Sequence, residues 1–239
     1  TDANTGYAAG NNGIISKTTN GGNNWISLTS GVDVTINEIN FPVSGTGYAV
    51  GGLGGTAFII KTTNGGVNWV LQSIPTIPAN NYLNAVNFVN ANTGYVTGGG
   101  VLSPGTIALR TTNGGTNWEF FNVSSINPNI TYDIGGGVYT FNQDIAYAAG
   151  VNGNIVRTTN GGITWEKLYP ETNLNFASGY LTGISFIGNT GFVCGAGGTV
   201  IKIQDTAITI LAGELLLHAY DVRFSKTDPL IGWIAGGGQ

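Results

Sequence analysis

The chain has 239 residues, 41% of them hydrophobic and only 8% charged, with 40 glycines and a formal net charge of −4. A chain this apolar buries a core and is not disordered, and its eight Lys and Arg residues are scattered, leaving no basic stripe to neutralise a run of phosphates. No nucleic-acid partner is expected. The one cysteine, Cys194, and the one histidine, His218, exclude a disulfide framework, a cysteine-based zinc site and a Ser-His-Asp triad with a spare base. Cys194 reads as a small buried strand residue, and no metal or cofactor is expected. The most apolar stretch, 207–220, is broken by Glu214 and His218 and falls short of the ~20 residues needed to cross a bilayer, so membrane insertion is not expected. The lack of any Met, even at position 1, reads as a processed mature chain or an excised segment.

In chain order, an aromatic-glycine segment at 5–10 leads into Lys17 and the word Thr18-Thr19-Asn20-Gly21-Gly22-Asn23-Asn24-Trp25. An alternating segment, Ile36 to Phe41, opens a second unit, followed by Thr46 to Gly51 and the same word from Thr62 to Trp69. A third unit runs through Leu83 to Phe88, Thr93 to Gly98 and Thr111 to Trp118; a fourth keeps Ile145 to Gly150 and Thr158 to Trp165. The tryptophans are 44, 49 and 47 residues apart. The fifth unit has Leu181 to Phe186 and Thr190 to Gly195 but puts Lys202-Ile203-Gln204-Asp205-Thr206-Ala207 where the word belongs, and a sixth stops after Tyr220 to Phe224 and Ile231 to Gly236. Period-2 alternation with aromatic and β-branched residues reads as strand. Each complete unit therefore reads as four strands, A to D, with Asn-Gly marking a tight C–D hairpin in which both residues tolerate positive φ.

Repeats of ~40–50 residues with four strands apiece predict an all-β fold, a β-propeller of four-stranded antiparallel blades in a single domain. The units run approximately 1–31, 32–78, 79–127, 128–173, 174–214 and 215–239. The first lacks strand A, and the last supplies only A and B. Joined, the two ends make a fifth blade with one strand B to spare; kept apart, they make six. Thr5, Tyr7, Val222, Phe224 and Trp233 are the residues expected on strands that close the ring or pair with another copy. Excision from a larger, seven-bladed propeller is a further reading.

The repeated word resembles the Asp box, Ser-x-Asp-x-Gly-x-Thr-Trp, with Thr for Ser and Asn for Asp. Its positions fall on Thr18, Asn20, Gly22 and Trp25; Thr62, Asn64, Gly66 and Trp69; Thr111, Asn113, Gly115 and Trp118; and Thr158, Asn160, Gly162 and Trp165. The form is similar to the BNR-repeat propellers of the Ycf48 and HCF136 type, the photosystem II assembly factors, and to related secreted bacterial propellers. That resemblance implies a structural role for the box at the blade periphery. The residues agree: Asn bonds the turn backbone, Gly supplies the left-handed conformation and Trp packs on neighbouring strands.

Little chemistry is visible. The chain has only three arginines, and Arg110 and Arg157 share the repeat position of Lys17 and Lys61, as strand-surface residues rather than a carboxylate clamp of the sialidase kind. The acids Asp33, Glu38, Asp133, Asp144 and Asp221 sit in no motif that pairs them. The expectation is a non-catalytic propeller, secreted or at a cell surface, serving as a structural or protein- or glycan-binding module and self-assembling into a homo-oligomer or filament. An assembly factor of Ycf48 type is the first alternative, and a glycan-binding or glycoside hydrolase propeller with Trp233, Tyr132 or Tyr139 as aromatic platform is the second.

Overall fold

The computed structural model describes residues 2–53, 56–100, 105–128, 130, 133–168, 179–212, 218–224 and 231–237. Its strands fall into six antiparallel sheets in chain order. The first holds β1 (Gly6–Ala9), β2 (Ile14–Thr18) and β3 (Ile26–Thr29). Four complete blades follow. They are β4 (Ile36–Val43), β5 (Thr46–Leu53), β6 (Thr56–Thr62) and β7 (Val70–Leu71); β8 (Tyr82–Phe88), β9 (Gly94–Gly99), β10 (Ile107–Thr111) and β11 (Glu119–Asn122); β12 (Gly137–Thr140), β13 (Ala146–Ala149), β14 (Ile155–Thr158) and β15 (Glu166–Lys167); and β16 (Leu181–Ile187), β17 (Thr190–Gly195), β18 (Val200–Gln204) and β19 (Ala207–Ala212). The sixth sheet is the pair β20 (His218–Phe224) and β21 (Gly232–Gly237). This is the predicted all-β propeller. Among the described residues β1 pairs only with β2 and β20 only with β21, so no backbone ladder joins the two ends.

The connection from the third strand to the fourth is not the two-residue hairpin that Asn-Gly suggests. β2 ends at Thr18 and β3 begins at Ile26. Positive φ falls on the two glycines, Gly21 (68°) and Gly22 (93°), while Asn20 keeps an ordinary φ. The Asn acts through its side chain instead: Asn20 Oδ1 accepts from the Asn24 amide at 2.9 Å. The hub is the threonine, whose hydroxyl donates to Asn20 Oδ1 and accepts from the amides of Asn20 and Gly22. The same set recurs at Thr62, Thr111 and Thr158. A side-chain hub replaces cross-strand bonds in a loop too wide for a ladder. In the fifth blade, which has lost the word, Asp205 (φ 56°) and Thr206 make a tight turn between β18 and β19.

Blades are joined by one recurrent seat. A second-strand aromatic stacks on the first-strand Phe of the next blade: Tyr7 on Phe41 at 3.7 Å and 12°, and Tyr48 on Phe88 at 3.8 Å and 9°. The box tryptophan of that next blade meets the same Phe edge-on, Trp69 on Phe41 and Trp118 on Phe88. The second strand's aromatic also lies over the next blade's box glycines, so that a Cβ on Gly115 would stand 3.4 Å from Tyr48. Third-strand cations complete the seat: Lys17 Nζ reaches Gly65 O at 3.1 Å, and Lys61 Nζ reaches Gly114 O at 2.7 Å. The price is a buried indole N–H without a partner at Trp69, Trp118 and Trp165. Burying such a ring is worth about 4–6 kcal/mol by area, against about 1–3 kcal/mol for the unsatisfied donor, so packing wins.

Two glycines separate backbone strain from the seat. Gly22 and Gly162 share a φ of 93°, but a Cβ on Gly162 would meet the Phe121 ring at 2.9–3.0 Å, whereas on Gly22 it would meet only its own Trp25 at 4.0 Å. Gly22→Ala is expected to cost about 1–2 kcal/mol, the left-handed penalty alone, and Gly162→Ala clearly more, measured by urea denaturation. Similarly, Thr111→Val leaves the Gly115 amide unsatisfied in a buried loop and is expected to cost about 1–3 kcal/mol, with Thr111→Ser restoring most of it in the same assay.

Candidate functional site

The first strand of each blade ends the sheet at the axis, so one of its edges has no neighbouring strand in its own blade. Side chains supply the missing bonds. Each of β4, β8, β16 and β20 carries a β-bulge at its second repeat position, where Asn37, Asn84, Thr182 and Tyr220 are the extra residues. A bulge turns its side chain out of the pleat. Asn37 Nδ2 donates to Leu83 O and Asn84 Oδ1, both at 2.9 Å; Asn84 Nδ2 donates to Asp133 Oδ2 at 2.8 Å; and Thr182 Oγ1 donates to Ala219 O at 2.6 Å. The Val86 amide donates to Glu38 Oε2 at 2.7 Å, and the Thr140 amide to Asn87 Oδ1 at 2.8 Å. The inner strands are thus stitched to one another around the axis.

These strands surround a cavity of about 340 Å³, lined among others by Asn37, Glu38, Asn84, Thr182, Tyr220, Asp221 and Arg223. A second cavity of about 670 Å³ follows, lined by Phe41, Phe88, Tyr139, Phe186 and Phe224. Ile39 and Arg223 border both. Arg223 Nη2 donates to Glu38 Oε1 at 2.9 Å and its Nε donates to Asp221 Oδ2 at 2.9 Å, joining β20 to β4 across 185 residues of chain. Burial holds the Glu38 carboxyl above the ordinary carboxylate range, with the Arg223 charge and the Val86 amide pulling it back. Asp133 is raised for the same reason, opposed by the Gly135 amide and Asn84. Two carboxyl groups share one guanidinium in this first, upper cavity, so its lining holds one more acid than base, with burial opposing ionisation of Glu38.

The residues singled out from the sequence lie in two groups. The box residues occupy the third-to-fourth-strand loops, and none of them borders either axial cavity. Of the five end-strand residues, Val222 and Phe224 share β20, with Trp233 on the paired strand β21. Tyr7 is committed to Phe41, Phe224 to Phe192, and Val222 is buried with Cys194 and Ala219, while Trp233 is exposed; Thr5 bonds Asp2. The Tyr7 and Phe224 rings are thus taken up by the neighbouring blades. Arg110 and Arg157 are mostly covered rather than free on the surface, paired to Glu119 and Glu166 across their hairpins. Of the acids, Glu38 and Asp221 come together; Asp33 and Asp144 border separate shallow surface depressions. Tyr139 packs on Phe141 and Phe186, and Tyr132 and Asn129, the latter in an Asn-x-Thr sequence, lie outside the described residues. Burial pushes the Cys194 thiol up to about 11. No group of three or more metal-ligating side chains exists among the described residues, and no helix there is long and apolar enough to cross a membrane.

The Glu38–Arg223 pair was not read from the sequence. Its trace is there in register: Glu38 and Asp221 stand where the other inner strands have Ala85 and Gly183.

Residues 23–136 match the family model described as "Photosynthesis system II assembly factor YCF48". The repeats in that span resemble those of YCF48. Among solved structures, YCF48 bound to a D1 peptide matches with a TM-score of 0.60 at 20% identity, over 80% of this chain and 58% of that one. YCF48 from Cyanidioschyzon merolae matches with a TM-score of 0.57 at 16% identity, over 98% of this chain and 89% of that one. An ancestral GH74 enzyme matches with a TM-score of 0.68 at 20% identity, over 93% of this chain and 32% of that one. The chain thus spans little more than half of the peptide-bound YCF48 and a third of the GH74 enzyme. At these identities the likeness is one of fold. No curated protein matches the chain.

A raised carboxylate pKa means that the fold favours the protonated form. The Glu38 contribution is therefore fully present below the ordinary carboxylate range and is lost as pH rises through its raised value. Relative to Glu38→Gln, the wild type is expected to gain stability as pH falls through that window. Arg223→Ala, which removes the countercharge, is expected to widen the window upward in urea titrations across a pH series.

Proposed function

We propose that this chain is a non-catalytic propeller that holds a short, positively charged segment of another protein at the upper axial cavity, and that it works outside the cell or at its surface. The observation that carries the reading is the cavity's lining: bulge-directed Asn37 and Asn84, and a carboxylate pair left with one guanidinium between them. Backbone amides and carbonyls of an extended peptide meet polar side chains there, and a lining with two carboxyls to one guanidinium favours a Lys or Arg over an acidic residue. The peptide-bound YCF48 structure supports a protein segment as the ligand class. A non-catalytic role is supported by the carboxylates' existing commitments: Glu38 accepts from Val86 and Arg223, and Asp221 from Val222 and Arg223. The sparse charge and the wealth of Gly, Asn and Thr suit an exposed, extracellular disc. Assembly of a membrane complex is the second reading, favoured by the family match over residues 23–136.

The test is selection of random displayed peptides on the immobilised chain. Enrichment of peptides bearing Lys or Arg is expected, with affinity falling about tenfold on Asp221→Asn and falling with added salt. No enrichment, or enriched peptides indifferent to Asp221→Asn and Glu38→Gln, would sink the proposal.

A further inference from the structure

The strand registers align the inner strands residue by residue. Asn40, Asn87, Tyr139, Ser185 and Arg223 lie opposite the second-strand aromatics Tyr48, Tyr95, Tyr147, Phe192 and Trp233. They form one row around the axis, and all five border the second cavity of about 670 Å³. Two residues earlier on each strand, and so on the same face, the row reads Glu38, Ala85, Gly137, Gly183 and Asp221, which brings both acids to the first cavity. Among the described residues no Asp or Glu borders the second cavity, and its charged side chain is Arg223. The row also has hydrogen-bond donors to spare. Asn40 Oδ1 accepts from the Phe88 amide at 3.3 Å and Asn87 Oδ1 from the Thr140 amide at 2.8 Å, which fixes how each side-chain amide is turned and leaves both Nδ2 groups over. Arg223 commits Nη2 to Glu38 and Nε to Asp221 and leaves Nη1 over. Among the described residues neither Nδ2 group, nor Arg223 Nη1, nor the Tyr139 hydroxyl has a hydrogen-bond partner.

We propose that the second cavity is a binding site for a small organic carboxylate with a flat apolar body. Its volume is that of a small-molecule site, with a few polar groups placed to orient the ligand. Donors without an acid among them select an acceptor, and the guanidinium selects an anionic one through a charge-assisted hydrogen bond. The Arg223 charge is already shared with Glu38 and Asp221, so the neutral donors of Asn40, Asn87 and Tyr139 supply the remaining bonds to the carboxylate. An inorganic anion would leave the apolar part of the wall, Ile39, Pro42, Val89 and Phe224, without contact; a flat apolar body fills it. This proposal goes beyond peptide binding. Its ligand has the opposite charge, sits in a different cavity and uses neither Asn37 nor Asn84.

The experiment is a titration of the full chain with benzoate, followed by NMR at the side-chain amide signals of Asn40 and Asn87, with benzamide as the neutral probe of the same shape. Saturable shifts at both signals are expected, with benzamide binding at least about tenfold more weakly. Asn87→Asp keeps an oxygen for the Thr140 amide but replaces the donor with a charged acceptor, and is expected to weaken benzoate at least about tenfold, read at Asn40. Tyr139→Phe keeps the ring and removes one donor, for an expected loss of about threefold to tenfold. Absence of saturable shifts at the two amides, equal affinity for benzamide, or benzoate binding indifferent to both variants overturns the proposal. Peptide selection reads the first cavity and benzoate the second, so failure of one proposal leaves the other standing.

Discussion

The fold depends on an aromatic ring finding a flat place to lie. Where Tyr48 stacks on Phe88 and covers the Gly114-Gly115 turn, three elements of one blade are fixed by a single side chain of the preceding one. A Cβ at Gly115 would strain its left-handed backbone and crowd that ring, which is why glycine recurs there. The box is thus more than a local turn. Its Thr and Asn satisfy the loop's own amides, its glycines make a seat, and its Trp closes the seat from the other side. Burial in the seat pushes the Tyr48 and Tyr95 phenols up to about 12.

Repetition of the seat explains how a chain poor in charge builds a ring around an axis. Each blade buries one face on its predecessor and one on its successor, and stability sums over neighbouring interfaces as in other repeat proteins. At the axis the same logic leaves first-strand edges without ladder partners. Bulges answer this by turning Asn37 and Thr182 onto carbonyls of the adjacent inner strand and Asn84 onto Asp133, ahead of β12. The polar lining of the cavity is therefore first a solution to unpaired backbone and only second a surface for a ligand. Glu38, Asp221 and Arg223 depart from that pattern, since the neutral residues at Ala85 and Gly183 show that the bulge itself requires no charge.

The repeat words made the blades legible because strand alternation and the Gly-rich turns are local. Trp25, Trp69, Trp118 and Trp165 gave the period, and Phe41, Phe88 and Phe186 the inner strands. In the turn, the Asn side chain bonding the backbone and the left-handed glycines follow from the residue types, whereas the hub role of Thr18 and the ordinary φ of Asn20 do not. The axial site was not legible, because Glu38 and Arg223 meet only when 185 residues of chain curl around the axis. Tyr7 and Phe224 stand on the end strands β1 and β20, and their rings pack on Phe41 and Phe192 of the neighbouring blades.

Backbone amide exchange at Gly22, Gly66, Gly115 and Gly162 tests the central claim most directly. All four amides donate to their box threonine, at 2.9, 3.0, 2.9 and 2.8 Å, so local chemistry alone predicts equal protection. The seat predicts otherwise: Gly66, Gly115 and Gly162, buried under the preceding blade, exchange slowly and the exposed Gly22 exchanges fast. Equal protection at all four would contradict the account and return the rigidity of the loops to the box itself.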